Sequence, residues 1–470
     1  MRRLLAGERS GSIIVQFSGA RAPRSALRLG DYQVDAMNAE FALVAVGKDV
    51  VIVWFRPDAA KDEEIRFLSL GAFRALSENA RHWYFDDKGK ERSIRYADKW
   101  MADPARREYS GIEFWPSSDG KLGRPGFLNL WRGFAVEPSE RGSYAIFRDH
   151  LLTNVCDGDE AAFRWLFAWF ASIIQKPREK PGTAIVLRGG MGVGKTMVGQ
   201  IFGSLIESHY ILADDARYLT GNFNAHMASC LLLQVDEGFW AGDKAAEGRL
   251  KGLVTSTTQM IEHKGVDPVK VDNHLRLMIS SNSGWVVPAG RDERRFAIFD
   301  VAPHCAQNHE YFGELRQEIE TGGRERLLHD LQHFDLGSIN LREIPKSAGL
   351  LEQKVHSFDP IETWWFDRLQ DGEPTRGHGL WPEFVRSRDL FDDYLAATER
   401  IGIRRKSAEA EFFMKWVKLL PEARKVRRMV PADRGTAVTR AWGYELPALD
   451  RARTVFEEAL GQAVQWAADD

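Results

Sequence analysis

The chain is poor in cysteine, has no long apolar run and carries little net charge. Its three cysteines, Cys156, Cys230 and Cys305, lie far apart and form no CxxC pair. This spacing argues against a structural zinc site or a disulfide framework and favours a reducing compartment. No apolar stretch approaches the roughly 18 residues of a membrane span. The net charge of −3 provides no global basic field, so a nucleic acid would have to be held by local patches.

The overall composition is that of an ordinary globular protein. Hydrophobic residues make up 44% and charged residues 28% of the sequence, which is typical of a soluble protein. The 470 residues correspond to about two to four domains. The first stretch, MRRLLAGERSGSIIVQF, lacks a sustained apolar core, so we expect no signal peptide. These features predict a cytoplasmic protein without membrane contact.

Residues 1–150 have the pattern of a mixed α+β domain whose role is unclear. Two β-branched runs around Gly47-Lys48-Asp49 predict a hairpin over 41–55. The Asp86-Asp87 pair in YFDDKGKER is expected in a turn, where aspartates need no catalytic role. The tryptophans of this region can stack on nucleic-acid bases, but filling a small β-rich core is their commoner use. They are Trp83, Trp100, Trp115 and Trp131.

The remainder of the chain divides into two further predicted domains. Residues 183–303 alternate strand and helix, the pattern of a parallel sheet covered by helices, and a loop-like region is expected near 334–360. Between 400 and 440 there are twelve Lys or Arg against four acids. Such a run is either a solvated face or a nucleic-acid patch. We therefore predict an ATPase-type domain over 151–335 and a basic C-terminal domain over 355–470.

The stretch RGGMGVGKTMVG at 188–199 predicts a phosphate-binding loop. A β-branched strand precedes it and a helix follows it, the context that separates a GxxxxGK[ST] loop from a chance match. Backbone N–H groups would surround the β-phosphate at the helix N-terminus. Lys195 would neutralise phosphate oxygens, and the Thr196 hydroxyl would bind Mg²⁺. The residues predicted to bind ATP are Gly189, Gly190, Met191, Gly192, Val193, Gly194, Lys195 and Thr196.

Two acids predict hydrolysis rather than phosphate transfer to a small molecule. The buried-strand pattern of CLLLQVDEGFW at 230–240 ends in Asp236 and Glu237. Asp236 would help to hold Mg²⁺, and Glu237 would polarise the attacking water. Adjacent carboxylates at the end of a buried strand cost desolvation and are rarely without a role.

Residues downstream indicate how the ATP site is completed. Asn282 follows the strand pattern LRLMISS, where its side chain can contact the γ-phosphate or the attacking water. In RDERRFAIFDV, Arg291, Arg294 and Arg295 precede another apolar strand. They are either a surface cluster or the source of an arginine that completes a neighbouring subunit's site. The second interpretation requires heterologous contacts that close into a ring.

The segment QMIEHKGVDPVKVDNH at 259–274 predicts two strands around a turn at 265–268. His263, Lys264 and Lys270 lie next to this turn. As an edge hairpin the segment needs no function. If it projects into a ring channel, it supplies positive charge for a DNA backbone.

The order of these motifs resembles superfamily 3 helicases, and more narrowly the phage and plasmid primase-helicase proteins with a P4/D5-like helicase module. The resemblance rests on GGMGVGKT, Asp236-Glu237, LKGLVTSTTQMIEHKG, LMISSN and ERRF, and it is firm over 183–303. It implies an AAA+-like fold, hexameric rings, ATP hydrolysis and 3′→5′ movement on single-stranded DNA.

By motif match, the resemblance also assigns roles to individual residues. Lys195 and Thr196 take the Walker A roles, Asp236 and Glu237 the Walker B roles, and Asn282 the sensor 1 role. Lys264 and Lys270 belong to the DNA hairpin, and Arg294 is the arginine finger with Arg295 as second choice. Residues 1–150 contain neither the paired metal-binding acids nor the zinc motif of a primase-polymerase domain, so we do not expect primer synthesis.

The predicted fold class is therefore α/β: an AAA+-like P-loop ATPase core with a mixed α+β N-terminal domain and a small, winged-helix-like, DNA-binding C-terminal domain. The predicted function is an ATP- and Mg²⁺-dependent DNA helicase of phage or mobile-element replication. Its expected partners are single-stranded or forked DNA, further copies of the chain in a hexameric ring, and a separate primase or polymerase. Two alternatives stay open: an ATPase that loads or regulates a replication complex without unwinding, and a defence-type NTPase that DNA does not stimulate.

Overall fold

The computed structural model describes residues 27, 31–59, 64–214, 225–236, 244–261, 269–402, 406–431 and 438–467. These residues form two compact units. The first consists of the described residues up to Glu113 together with Gly123–Leu130, and the second of Phe114–Leu122 together with the described residues from Trp131 onward. The first unit thus ends before the predicted boundary at 150. The predicted division of the remainder into an ATPase domain and a C-terminal domain stays a prediction.

The first unit is built from short helices and strands. A four-stranded sheet has the order β3-β2-β1-β6, β4 and β5 form a hairpin, and β7 pairs with β8. The elements are α1 (Val34–Glu40), β1 (Phe41–Val46), β2 (Asp49–Phe55), β3 (Ile65–Leu68), α2 (Leu70–Leu76), β4 (Arg81–Phe85), β5 (Glu91–Arg95), α3 (Tyr96–Ala102), β6 (Glu108–Tyr109), β7 (Gly111–Glu113) and β8 (Phe127–Asn129).

The local predictions for this unit are confirmed, with one exception among the tryptophans. β1 and β2 pair in the predicted hairpin, and Asp86 lies in a turn where its carboxylate accepts from the backbone N–H of Lys88 and Lys90. Trp100 is fully buried, with its indole N–H donated to Asn38. Trp83 is 60% exposed, so the prediction that it fills a core is wrong. It lies on β4, which forms a two-stranded hairpin with β5. Among the described residues, no further strand pairs with this hairpin.

The second unit contains the remaining helices and strands. Among the described residues, no helix combines the length and the apolar character that crossing a membrane requires. The elements are α4 (Ala145–Asp149), a π-helical turn at His150–Val155, α5 (Glu160–Gln175), β9 (Ala184–Arg188), α6 (Lys195–Gly203), β10 (Tyr210–Ala213), β11 (Leu232–Asp236), α7 (Lys244–Thr255), β12 (Thr258–Ile261), β13 (Val269–Asp272), β14 (Arg276–Ser281), β15 (Phe296–Asp300), α8 (His309–Glu318), α9 (Arg324–His333), α10 (Ala348–His356), α11 (Pro360–Asp371), β16 (Phe384–Arg386), α12 (Ser387–Arg400), α13 (Glu409–Leu419), β17 (Arg424–Pro431), β18 (Val438–Glu445) and α14 (Leu449–Leu460).

A five-stranded, all-parallel sheet organises the second unit. Its order is β10-β11-β14-β9-β15. The inner strands are near-continuous apolar runs because both faces of such a sheet are covered. The predicted α/β fold is confirmed. The order places β14 between β9 and β11, so that the residues following these three strands meet at one edge of the sheet.

The predicted hairpin at 259–274 is present. β12 and β13 pair antiparallel, with Met260 opposite Lys270, and Lys270 is exposed. His263, Lys264 and the turn at 265–268 lie outside the described residues, so their predicted roles stay predictions.

The last part of the second unit combines helices α11 to α14 with a small antiparallel sheet of order β16-β18-β17. Its core is aromatic, with Trp365, Trp416, Tyr394 and Phe412 fully buried. The loop predicted near 334–360 is partly wrong, because α10 lies within it. The sequence signal for α10 is its N-cap Ser347, whose hydroxyl accepts from the Leu350 N–H at 3.1 Å.

Candidate nucleotide site

The predicted phosphate loop connects β9 to α6 and requires glycine at two positions. Gly192 has φ +72° and Gly194 has φ +92°, values that residues with a side chain rarely adopt. Space is limited as well: a Cβ at Gly194 would lie 2.7 Å from the imidazole of His150 and 2.9 Å from the ring of Phe312. The loop therefore follows a path that only this glycine pattern permits.

Lys195 and Asn282 meet at the carboxyl edge of the sheet. The Lys195 ammonium donates to the carbonyl oxygens of Gly189 and Gly190 at 2.8 and 2.6 Å, and to Oδ1 of Asn282 at 2.7 Å. Asn282 reaches this position because it directly follows β14, the strand beside β9. The structure thus brings together two predicted site residues that are 87 positions apart in sequence.

Thr196 and Asp236 form the second contact between predicted site residues. The Thr196 hydroxyl donates to Oδ2 of Asp236 at 2.8 Å. Among the described residues, no group of three or more His, Cys, Asp or Glu side chains could hold a metal ion. A hydroxyl beside one carboxylate nevertheless fits Mg²⁺, which takes its other ligands from phosphates and water. Glu237 lies outside the described residues, and its predicted role stays a prediction.

A buried glutamine supports this edge from within the sheet. Gln234 is completely buried on β11, and its side-chain amide makes three hydrogen bonds. Its Oε1 accepts from the Tyr210 hydroxyl at 2.5 Å, and its Nε2 donates to the Ser280 hydroxyl at 3.0 Å and to the Thr196 carbonyl at 3.3 Å. The amide therefore connects β10, β14 and α6. A polar residue inside the apolar run CLLLQVD was the available sequence signal.

His150 supports the loop from the other side. It is fully buried, and its Nδ1 lies 3.2 Å from both the Asn154 amide nitrogen and the Tyr311 hydroxyl. Burial lowers the pKa of His150 to about 4, so the imidazole beside the loop is neutral at pH 7. No sequence motif pointed to His150, which lies 44 residues before Gly194 in the chain.

The loop opens into a cavity of about 460 Å³, shared with helix α8. His309, Phe312 and Arg316 line it from α8, together with Gly192 to Met197. Their spacing of three and four residues places them on one helical face. Arg316 is exposed and forms no ion pair within the part of the chain that the structure describes. It is a candidate nucleotide contact that the motif analysis missed.

The predicted arginines lie at the opposite edge of the sheet and differ in their surroundings. Arg291 pairs with Glu362 of α11. Arg295 lies 3.6 Å from the carboxylate of Glu293, which is almost fully buried. Arg294 is exposed, and none of the described residues pairs with its guanidinium. Of the three arginines, Arg294 is therefore the one whose charge is not paired with a described carboxylate.

A second cavity, of about 770 Å³, adjoins Arg294 and Arg295. Its charged lining is mostly basic: Arg178, Lys180, Arg294, Arg295, Arg342 and one acid, Asp272. The fully buried Arg276 lies beneath the first two and donates to the carbonyls of Lys176, Pro177, His274 and Glu179. Lys270, the described member of the predicted DNA hairpin, lines neither cavity.

The chain has recognisable relatives. Residues 187–295 match a family described as "Family of unknown function (DUF5906)". Over 173 residues the chain is 25% identical to the DNA Primase-polymerase of Nitratiruptor phage NrS-1, a match that covers 36% of this chain and 24% of that protein. The chain thus spans about a quarter of the length of this curated relative.

Solved structures share the fold over most of the chain. The apo structure of the NrS-1 C terminal region superposes with a TM-score of 0.61 at 15% identity, covering 87% of this chain and 97% of that one. A second apo form of the same region gives 0.62 at 15% identity, with coverages of 88% and 98%. At this identity the likeness shows the fold alone.

Proposed function

We propose that the chain is an ATP-dependent DNA helicase of phage or mobile-element replication, built on an AAA+-like P-loop core and acting as a ring. The observation that carries this proposal is the meeting of Lys195, Thr196, Asp236 and Asn282 at one edge of the parallel sheet. Three separate stretches of chain supply these four side chains. A glycine-rich structural turn would not require them to converge.

In this function each group has a defined task. Lys195 would exchange carbonyl and amide partners for β- and γ-phosphate oxygens, and Thr196 and Asp236 would hold the magnesium ion. Magnesium supplies charge neutralisation to the phosphates when it is bound. Asn282, which accepts from Lys195, would orient the attacking water, and Glu237 is the proposed general base.

The position of Arg294 favours action on a neighbouring copy. Arg294 and Arg295 precede β15, whose first residue Phe296 lies beside Ala184, the first residue of β9. The phosphate loop follows the other end of β9. The four steps between the first and last residues of β9 separate the two ends by about 13 Å at ~3.3 Å per residue, well beyond the reach of an arginine side chain. An arginine finger from this position therefore serves another subunit's ATP.

The surroundings of Glu293 favour Arg294 over Arg295 as the finger. The Glu293 carboxylate accepts from the backbone N–H groups of Arg294 and Arg295 at 3.0 and 2.6 Å. Because this carboxylate is buried, the nearby Arg295 guanidinium is needed to offset its charge. Arg294 has no such structural task.

The assignment of DNA as the substrate rests on three observations. The similarity to a phage DNA primase-polymerase, the β12–β13 hairpin with Lys270, and the basic stretch 400–440 all favour a replication protein. The competing proposal is an ATPase that loads a replication complex. Both functions require ATP hydrolysis, so strand displacement on a forked substrate separates them.

The test of the proposed site uses two variants that complement each other. Lys195→Ala removes the phosphate cation but keeps the finger, and Arg294→Ala keeps the loop but removes the finger. Each alone should hydrolyse ATP poorly, the second by about 10³–10⁵-fold, as for other arginine fingers. Mixed assemblies should regain hydrolysis wherever an intact loop meets an intact finger.

Two controls sharpen the mixing experiment. Arg342→Ala removes a cation of the same cavity that is not assigned to the finger, and it should leave hydrolysis much closer to wild type. Mass measurement shows whether the two chains co-assemble. Co-assembly without recovered hydrolysis would contradict a trans-acting Arg294, and near-wild-type hydrolysis by folded Lys195→Ala protein would contradict the ATP site itself.

A further inference from the structure

The β17–β18 hairpin carries different side chains on its two faces. Cross-strand pairs place Arg427 opposite Trp442, Met429 opposite Arg440 and Lys425 opposite Tyr444. Because directly opposed residues share a face and successive residues alternate, these six lie on one side, here called the tryptophan face. Arg424 and Arg428 lie on the other side, opposite Glu445 and Ala441.

Side chains on the tryptophan face become more exposed with distance from the protein core. At its base, Tyr444 is 4% exposed and stacks on Phe413 of α13 at 5.4 Å between ring centroids. Two residues further out, Trp442 is 55% exposed, and Met429 beyond it is 63% exposed. The outer part of the hairpin therefore presents a large aromatic ring to solvent, which the protein's own packing does not explain.

The charges on this face are all positive. Lys425 and Arg427 lie over the Trp442 ring, each 5.9 Å from its centroid, and Arg440 is exposed nearby. Neither strand places a carboxylate on the tryptophan face in the stretches 424–431 and 438–445. On the opposite face, by contrast, Arg428 is paired with Glu445.

Helix α13 of the same region offers no comparable surface. The first turn of α13 carries Glu409 and Glu411, and its Lys415 pairs with Glu411 and with Asp359. An anionic partner would there meet carboxylates and a lysine that is already paired with two acids. The unpaired positive charge and the exposed aromatic ring coincide only on the hairpin, among the described residues of 360–467.

We propose that the tryptophan face binds single-stranded DNA, with a base stacked on Trp442 and the flanking phosphates held by Arg427 and Arg440. An aromatic ring framed by cations suits an unpaired strand, whose bases expose their faces for stacking while its phosphates need counter-charge. This inference rests on the proposed function for the identity of its ligand. It adds a strand contact remote in sequence from the β12–β13 hairpin.

The experiment measures binding of the full chain, without nucleotide, to a short labelled oligothymidylate, to its abasic counterpart and to a matching duplex. Trp442→Ala should weaken oligothymidylate binding about 5- to 150-fold, the range that one stacked base supplies, whereas Trp442→Phe should keep most of the affinity. Wild-type protein should bind the abasic strand more weakly than oligothymidylate. The Trp442→Ala protein should bind these two strands with similar affinity.

The phosphate contacts are tested through salt dependence. Arg427→Gln with Arg440→Gln should reduce the slope of log affinity against log salt by about 1.4, from roughly 0.7 for each single-strand phosphate contact. Arg424→Gln, on the other face of the same strand, is the matched control and should change the slope far less. All these side chains are exposed, and thermal unfolding checks that each variant remains folded.

Several outcomes would overturn the proposal. Unchanged strand affinity of Trp442→Ala protein would exclude stacking, and equal losses for strand and duplex would indicate a duplex contact. If no DNA measurement responds, the face serves a protein partner. These titrations contain no ATP, so they test DNA binding independently of ATP hydrolysis. If the protein binds the strand through Trp442 but does not hydrolyse ATP in a separate assay, the proposed function is contradicted and this inference stands.

Discussion

Replacing Gln234 by leucine should destabilise the protein strongly while leaving nucleotide affinity almost intact. Leucine is close in size to glutamine, so little cavity is created. The change removes three hydrogen bonds, to the Tyr210 hydroxyl, the Ser280 hydroxyl and the Thr196 carbonyl. The cost therefore comes from polar groups left without partners rather than from lost packing.

The magnitude follows from how deeply those groups are buried. Ser280 is fully buried, and burial raises the pKa of Tyr210 above its usual range. A buried polar group without a partner costs about 1–3 kcal/mol, so the two hydroxyls together should cost about 2–6 kcal/mol. The contact to Thr196 is long, at 3.3 Å, and should add little. Set against a typical stability of ~5–15 kcal/mol, the variant should fold but be marginal.

Urea unfolding of a matched set of variants tests this reasoning. Adding Tyr210→Phe and Ser280→Ala to Gln234→Leu should recover much of the lost stability, because neither hydroxyl then remains without a partner. Fluorescent ATP titration should show at most a severalfold change in affinity for the single variant. If Gln234→Leu has wild-type stability, or if the triple variant is less stable than the single one, the hydrogen-bond argument is refuted.

Three further predictions concern the same unit. Gly194→Ala should abolish ATP binding in isothermal titration, because φ is +92° and a Cβ would collide with His150 and Phe312. Adding His150→Ala should relieve the first collision but not the second or the backbone strain, and wild-type affinity of the single variant would contradict this prediction. Burial lowers the pKa of His150, His209 and His274 to about 4 each, so the unfolded chain binds more protons between pH 6.5 and 4. Stability measured by urea should therefore be fully present above pH 6.5 and fall below it, by up to about 1.4 kcal/mol per pH unit for each histidine, and a flat profile from pH 7.5 to 5 would count against neutral buried imidazoles. Glu237→Gln should bind ATP in the same titration but hydrolyse it about 10²–10⁴-fold more slowly, whereas loss of binding would indicate a structural role.

Features with a strong local signal could be predicted from the sequence. The β1–β2 hairpin, the alternation of strand and helix, and the loop between β9 and α6 each depend on residues within about a dozen positions of one another. For Asn282, position at a strand end was enough, because the carboxyl ends of parallel strands share one edge of the sheet. The meeting of Lys195 with Asn282 follows from strand order.

Features that depend on tertiary contact could not be predicted in the same way. His150 packs behind the loop from a π-helical turn far upstream, and Arg316 reaches the cavity from a helix that has no motif of its own. The preference for Arg294 over Arg295 as the proposed arginine finger depends on the burial of Glu293. The sequence around these residues does not reveal that burial. Trp83 has the residue type of a core position, but no element among the described residues covers it.

The order of elements along the chain bears on the proposed helicase function, which requires ATP hydrolysis to be coupled to movement on DNA. β11 ends at Asp236 and β14 is followed by Asn282, and these strands are adjacent in the sheet, yet the β12–β13 hairpin lies between them in sequence. The base of that hairpin is fixed: buried Asn273 donates its side-chain amide to the carbonyls of Leu253 and Ser256 at 3.1 and 2.9 Å. In the proposed function, a load on the hairpin would therefore reach β14, the strand that Asn282 follows, through the short connection 273–275.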